Sequence, residues 1–129
     1  MKLHFLLIAA FLSTPSLAAE VAIEMLNKDA DGNKMVYSQE LVKIEVGDTV
    51  TWLPSSKGHN VEMIKGPDGA ALPKKSKLSE DVTIKFDTPG IYLYKCTPHV
   101  GMGMIGIVVV GGDTSNKEAI SKVKLAGKS

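Results

Sequence analysis

Short runs of alternating apolar and polar residues, each closed by a turn signal, constrain this chain more than any other feature. Leu41, Lys43 and Glu45 would point to one side of an extended segment, and Val42, Ile44 and Val46 to the other. Gly47-Asp48 interrupts, and residues 49–53 (TVTWL) resume with β-branched and aromatic side chains. Residues 21–26, 61–64, 82–86, 91–95 and 105–110 read as further strands, the last continuous and apolar like a central sandwich strand. Between them lie turn and loop stretches at 28–34, 54–58, 65–77 and 88–90, rich in Gly, Pro, Asp and Asn. Ile120 and Val123 stand at helical spacing, so a short amphipathic helix is expected over 115–125, capped by Asp113, Thr114 or Ser115. Seven or so short strands with turns between them predict an all-β fold: an antiparallel β-sandwich with a short C-terminal helix.

The first residues read as an address. Lys2 supplies a positive start, and residues 5–12 (FLLIAAFL) form an apolar run too short to span a bilayer. Ser13, Thr14 and Pro15 break the run, and Ser16-Leu17-Ala18 ends in small residues of the kind a leader peptidase reads. Residues 1–19 are therefore expected to be a secretory signal peptide, cut after Ala18 or Ala19, and 20–129 a single domain. The leader's form suggests bacterial export to the periplasm, with no membrane insertion once it is removed. The remaining chain carries fourteen lysines against fourteen acids. Arginine is absent altogether, and with no basic excess a nucleic-acid partner is not expected. A single cysteine excludes an internal disulfide framework and any multi-Cys zinc site.

That cysteine sits in the most informative stretch, Cys96-Thr97-Pro98-His99-Val100-Gly101-Met102-Gly103-Met104. A thiol, an imidazole and a thioether lie on one loop between two adjacent strands. A second imidazole, His59, stands upstream at a loop-to-strand junction. Two imidazoles, one thiolate and a thioether are a soft donor set suited to copper in both oxidation states, and a His₂Cys plane with a long axial Met is that of blue-copper electron-transfer sites. Three rival readings stand beside it. One is a secreted cysteine hydrolase using Cys96 with His99 or His59, for which no third orienting residue is evident. Another is a secreted copper storage or delivery protein without an electron-transfer role. The last is a zinc site, for which Met104 would be a poor ligand.

The segments KGHNVE (57–62), KCTPH (95–99), GMGMIG (101–106) and the opening MLNK (25–28) together resemble the cupredoxins, most closely the pseudoazurin family. The resemblance covers nearly the whole chain after the leader. It implies a Greek-key sandwich of about eight strands and one type 1 copper per chain, held by His59, Cys96, His99 and Met104. It also implies a non-enzymatic periplasmic electron carrier. The partners implied are denitrification enzymes, notably copper nitrite reductase, and c-type cytochromes are candidates beside them. Lys28, Lys57, Lys75 and Lys95 match lysines that serve docking in that family, around an apolar patch of Pro98, Val100 and Met102 on a protein expected to be monomeric. Pseudoazurins usually carry two C-terminal helices, and this chain has room for about one.

Some details follow from the placement of these residues. His59 should be buried and His99 should expose a ring edge. Asn60 should offer its backbone N–H to the Cys96 sulfur and tie the two ligand loops together through its side chain. Pro98 has no N–H to give the thiolate.

Overall fold

The computed structural model describes residues 9–15 and 17–127. Eight strands build two sheets: β1 (Glu20–Lys28), β2 (Lys34–Tyr37), β3 (Leu41–Ile44), β4 (Thr49–Leu53), β5 (Glu62–Lys65), β6 (Val82–Lys85), β7 (Gly90–Lys95) and β8 (Ile105–Val110). One sheet has the order β2-β1-β4-β6 and the other β3-β8-β7-β5. A single short helix, α1 (Lys117–Ser121), follows β8 among the described residues. Residues 1–8 and Ser16, which belong to the expected leader, lie outside the described residues. Upstream of Glu20 the described residues form neither helix nor strand, and Phe11, Leu12 and Leu17 are exposed. No helix among the described residues is long and apolar enough to cross a membrane.

The alternating segments bury the side chains their period requires. Ile23 and Met25, Val42 and Ile44, Val50 and Trp52, and Val108 and Val110 all point into one core between the sheets. Val46 is exposed, because β3 ends at Ile44 and the chain turns through 45–48 before β4. Tyr94 sits at the centre, edge-on to both Tyr37 and Trp52 at ring-centroid distances of 4.8 and 5.1 Å. Gly106 lies opposite Tyr94 in the β7–β8 ladder, and a methyl group there would overlap the tyrosine ring. The glycine is a packing requirement of the core.

Three sequence expectations change. β2 is a strand that sequence pattern did not reveal: four residues are too few to establish a period, and β2 forms through its antiparallel pairing with β1. The sandwich is not wholly antiparallel, since β1 pairs β4 and β3 pairs β8 in parallel. The chain changes sheet between β3 and β4, and side-chain alternation carries no information on strand direction. The helix is shorter than 115–125, and Asn116, rather than Asp113, Thr114 or Ser115, occupies its N-cap position. The Asn116 side chain accepts the Ile91 N–H and donates to the Ile91 carbonyl, both at 2.9 Å, so it acts as a one-residue extension of the sheet edge. Ile120 of α1 lines a shallow apolar depression with Ile91, Ile107 and Val109, which explains why β8 is apolar on both faces.

β7 and β8 are joined by residues 96–104, at one end of the sandwich. Everything that carries chemistry gathers at that end.

Candidate metal centre

β7 delivers Cys96 to the core: Tyr92, Tyr94 and Cys96 alternate inward along one face, and Cys96 has no exposed surface. The loop that follows closes on itself. The Cys96 N–H donates to the Met104 carbonyl at 3.0 Å, and the His99 carbonyl accepts from Met102 at 3.0 Å and Met104 at 3.3 Å. A 3-10 turn over Val100–Met102 ends at Gly103, whose φ of 90° is a left-handed conformation that glycine adopts without strain. This curl brings His99 back over the sulfur. His99 Nδ1 lies 3.4 Å from Cys96 Sγ, and His59 Nδ1 lies 3.6 Å from it. The donor atoms of His59, Cys96 and His99 all fall within 4.8 Å of one another. Met104 is fully buried beside them at the start of β8. All four residues expected from the sequence therefore meet in one place, arranged like a type 1 copper site.

The two imidazoles are held differently. His59 is fully buried, and its Nε2 lies 2.7 Å from Asn27 Oδ1. An Nε2–H donated to that oxygen leaves the Nδ1 lone pair facing the sulfur. Asn27 is in turn held by Ser56 Oγ, which accepts its backbone N–H at 3.0 Å. His99 is only half-buried, with exposed Pro98, Gly101 and Met102 around it. Burial, together with the second imidazole, holds His59 below the ordinary histidine pKa, so its ring is neutral. Burial pushes the Cys96 thiol up, partly opposed by the backbone N–H groups of Asn60 and His99 that bond to it. The expected Asn60 donor is thus present, and His99 adds a second.

The Asn60 side chain joins the two ligand loops. Its Oδ1 accepts the Thr97 N–H at 2.7 Å, and its Nδ2 donates to Thr97 Oγ1 at 2.8 Å and to the Ser76 carbonyl at 3.2 Å. Thr97 Oγ1 donates onward to Glu62 at 2.7 Å, and the Tyr37 hydroxyl donates to the Asn60 carbonyl at 2.7 Å. The segment read from sequence as a plain surface loop also contributes. Ser76 within it and Ser79 just beyond it donate backbone N–H groups to the Val61 and His59 carbonyls, both at 2.9 Å, and cover the His59 loop like an extra strand.

The donor set fits a copper ion on the chemistry of its atoms. A buried thiol with two imidazole Nδ1 atoms turned toward it, and no lysine paired with it among the described residues, is a pocket made for a soft cation that displaces the thiol proton. The hydrolase reading requires a correction. A third orienting residue does exist, Asn27 on His59. It does not make a nucleophile, because the sulfur is sealed from solvent and burial keeps the thiol protonated.

Comparison with known proteins agrees with this geometry. Residues 23–111 match the model of the copper-binding plastocyanin/azurin family. The chain belongs to that family, in its pseudoazurin branch. A pseudoazurin of Methylorubrum extorquens is 45% identical over 121 residues, covering 92% of this chain and 80% of the relative. A putative pseudoazurin of Rhizobium leguminosarum is 49% identical over 112 residues, covering 84% and 72%. The solved pseudoazurin from Sinorhizobium meliltoi superimposes with a TM-score of 0.80 at 46% identity, covering 85% of this chain and 87% of that one. A fern plastocyanin at 23% identity and a TM-score of 0.54, covering 70% of this chain and 99% of that one, shares the fold.

Sequence reasoning missed Asn27, Thr97, Ser76 and Ser79. Asn27 lay inside the MLNK segment that carries the resemblance, but nothing local assigns its side chain to a histidine thirty-two positions away. Past α1 the chain returns to this end of the molecule, where Gly127 packs against the backbone of Gly101.

Proposed function

We propose that the protein is a type 1 blue-copper electron carrier of the bacterial periplasm, with His59, Cys96, His99 and Met104 as its copper ligands. It would pass single electrons to a reductase such as copper nitrite reductase. Copper, when bound, supplies the one-electron chemistry by alternating between Cu(I) and Cu(II). The chain's own residues supply the rest. Asn27 fixes the His59 ring, Asn60 fixes the separation of the two loops, and the N–H groups of Asn60 and His99 bond to the sulfur. The Asn27 and Asn60 bonds come from residues outside the ligand set, so the ligands need little rearrangement on electron transfer. One observation carries the reading: two imidazole Nδ1 atoms face a single buried sulfur, one ring sealed in and the other at the surface.

Half-exposed His99 is the exit. Pro98, Val100 and Met102, the last 50% exposed, surround it with apolar surface that permits close approach. Lys28, Lys57 and Lys75 are exposed at positions suited to steering an acidic partner. Lys95 is weaker in that role: it is partly covered and pairs with Glu62 at 3.9 Å. The carrier works as a monomer, and a c-type cytochrome could serve as its other partner. A storage or delivery protein would need ligands that let go, and the Asn27 bond that fixes the buried His59 ring argues against that role.

The decisive measurement is the optical and EPR spectrum after addition of Cu(II). An intense visible thiolate-to-copper band, bleached reversibly by reductant, is expected. A colourless product, or copper surrendered to a Cu(I) chelator without cycling, would overturn the proposal. Electron delivery to nitrite reductase should then slow as ionic strength rises.

A further inference from the structure

At the far end of β1 from Asn27, Asp48 is buried at 7% exposure in the turn before β4. Its Oδ2 accepts the Glu45 N–H at 2.9 Å, and its Oδ1 accepts the Ala19 N–H at 2.8 Å. Among the described residues no lysine stands within ion-pair distance of it. A buried carboxylate bonded only by neutral amides lacks the cation that burial of a charge ordinarily demands. An amino terminus at Ala19, whose nitrogen already lies 2.8 Å from Oδ1, would place a cation there.

Ala19 is also where the hydrogen-bonded domain begins. Its carbonyl accepts the Thr49 N–H at 3.0 Å, one step ahead of the Glu20–Thr49 register of the β1–β4 ladder. Upstream of it, the described residues make no hydrogen bond to the sandwich, and Leu17 is exposed. The sequence points to the same bond independently. Cleavage after Ala18 puts small residues, Ser16 and Ala18, at the two positions a leader peptidase reads, whereas cleavage after Ala19 would put Leu17 at the first of them.

We propose that the mature chain begins at Ala19, and that the α-ammonium freed when the leader is cut after Ala18 is bound by the carboxylate of Asp48. The inference rests on the export reading and not on copper. In the step itself, leader peptidase adds one water across the Ala18–Ala19 amide. The hydroxyl goes to the Ala18 carbonyl carbon, which leaves with the leader as a carboxylate, and the released Ala19 nitrogen ends as an ammonium. The amide N–H bonded to the carboxylate thereby becomes an ammonium, and a bond with charge on the acceptor alone becomes one with charge on both partners. Removal of the leader therefore tightens the first strand onto the sandwich, and the precursor is the looser form.

The test has two arms. Full-length precursor is produced in an export-competent bacterium, and the periplasmic product is analysed by N-terminal sequencing and intact mass. A chain starting at Ala19 is expected. A start at Glu20 overturns the proposal, and an uncut chain overturns the export reading together with it. Chains starting at Ala19 and at Ala18 are then compared by urea unfolding without metal, each with and without Asp48→Asn. The Ala19 start should have an unfolding constant roughly five- to tenfold smaller than the Ala18 start, and Asp48→Asn should abolish that difference while near-UV circular dichroism stays native. Equal unfolding constants for the two starts, or a difference that survives Asp48→Asn, would overturn it. Copper plays no part in either arm, so failure here is separable from failure of the electron-transfer reading.

Discussion

The two imidazoles that face Cys96 have the same chemistry and opposite surroundings. His59 has no exposed surface, a far nitrogen bonded to Asn27, and a covering segment at Ser76 and Ser79. His99 sits on a self-closed loop between Pro98 and Gly101, with part of its ring open to solvent. The sheets therefore own one half of the site and the loop owns the other. Rigidity belongs to the sheet half, where any movement would disturb the core around Tyr37 and Tyr94. Access belongs to the loop half, where the proposed electron exit lies.

Exchanging the two histidines for alanine tests that division most severely. His59→Ala empties a sealed space and strands the Asn27 oxygen, so a stability loss of about 2–4 kcal/mol is expected, comparable to other large-to-small core changes. Added imidazole should not restore the copper band, because no path leads in. His99→Ala should cost little stability, and added imidazole should restore the band. Equal rescue of both variants, followed by visible absorption and urea unfolding, would erase the distinction.

Asn60 joins the halves, so removing it should loosen both. Asn60→Ala deletes three side-chain hydrogen bonds and leaves the Thr97 N–H without its acceptor. A loss of roughly 2–3 kcal/mol is expected, with a weakened or shifted copper band. A native-like band at native stability would show that the loops are held by something else.

The sealed ring should also be visible in the pH dependence of the metal-free protein. His59 is held below its ordinary value of 6.5 in the folded state. As pH falls through that value, the unfolded chain takes up a proton that the native state refuses. Stability from this source is whole above the ordinary value and declines toward acid, by at most about 1.4 kcal/mol per pH unit. Urea titrations in acidic and neutral buffer should show the decline, and His59→Gln should remove it. A decline of the same steepness in His59→Gln would assign it to other groups.

The smallest effect belongs to the loop half. Pro98→Ala introduces an N–H close to the sulfur, and an added donor weakens thiolate donation to Cu(II). The reduction potential should rise by a few tens of millivolts, on a scale where about 59 mV is a tenfold change for one electron. Voltammetry showing a lower or unchanged potential with the fold intact would refute this.

The donor set and the strands were legible in the primary structure for a shared reason: both are local. Period-2 alternation marks residues such as Val42, Ile44, Val50 and Trp52 as inward-facing without knowledge of their neighbours. A thiol, an imidazole and a thioether within nine residues announce a metal loop before it folds. What stayed hidden depends on contacts between distant segments. The parallel pairings β1–β4 and β3–β8 are choices of direction that alternation does not encode, and β2 exists because β1 is there to pair with it. Asn27 reaches His59 across 32 residues and Asp48 reaches Ala19 across 29, while the tie expected of Asn60 finds its partner, Thr97, 37 residues away. A hydrogen bond needs its two atoms within about 3 Å, and over such separations packing of the two sheets brings them together. The type of chemistry was thus written along the chain, while the arrangement that gives one imidazole a sealed seat and the other a window arose from folding.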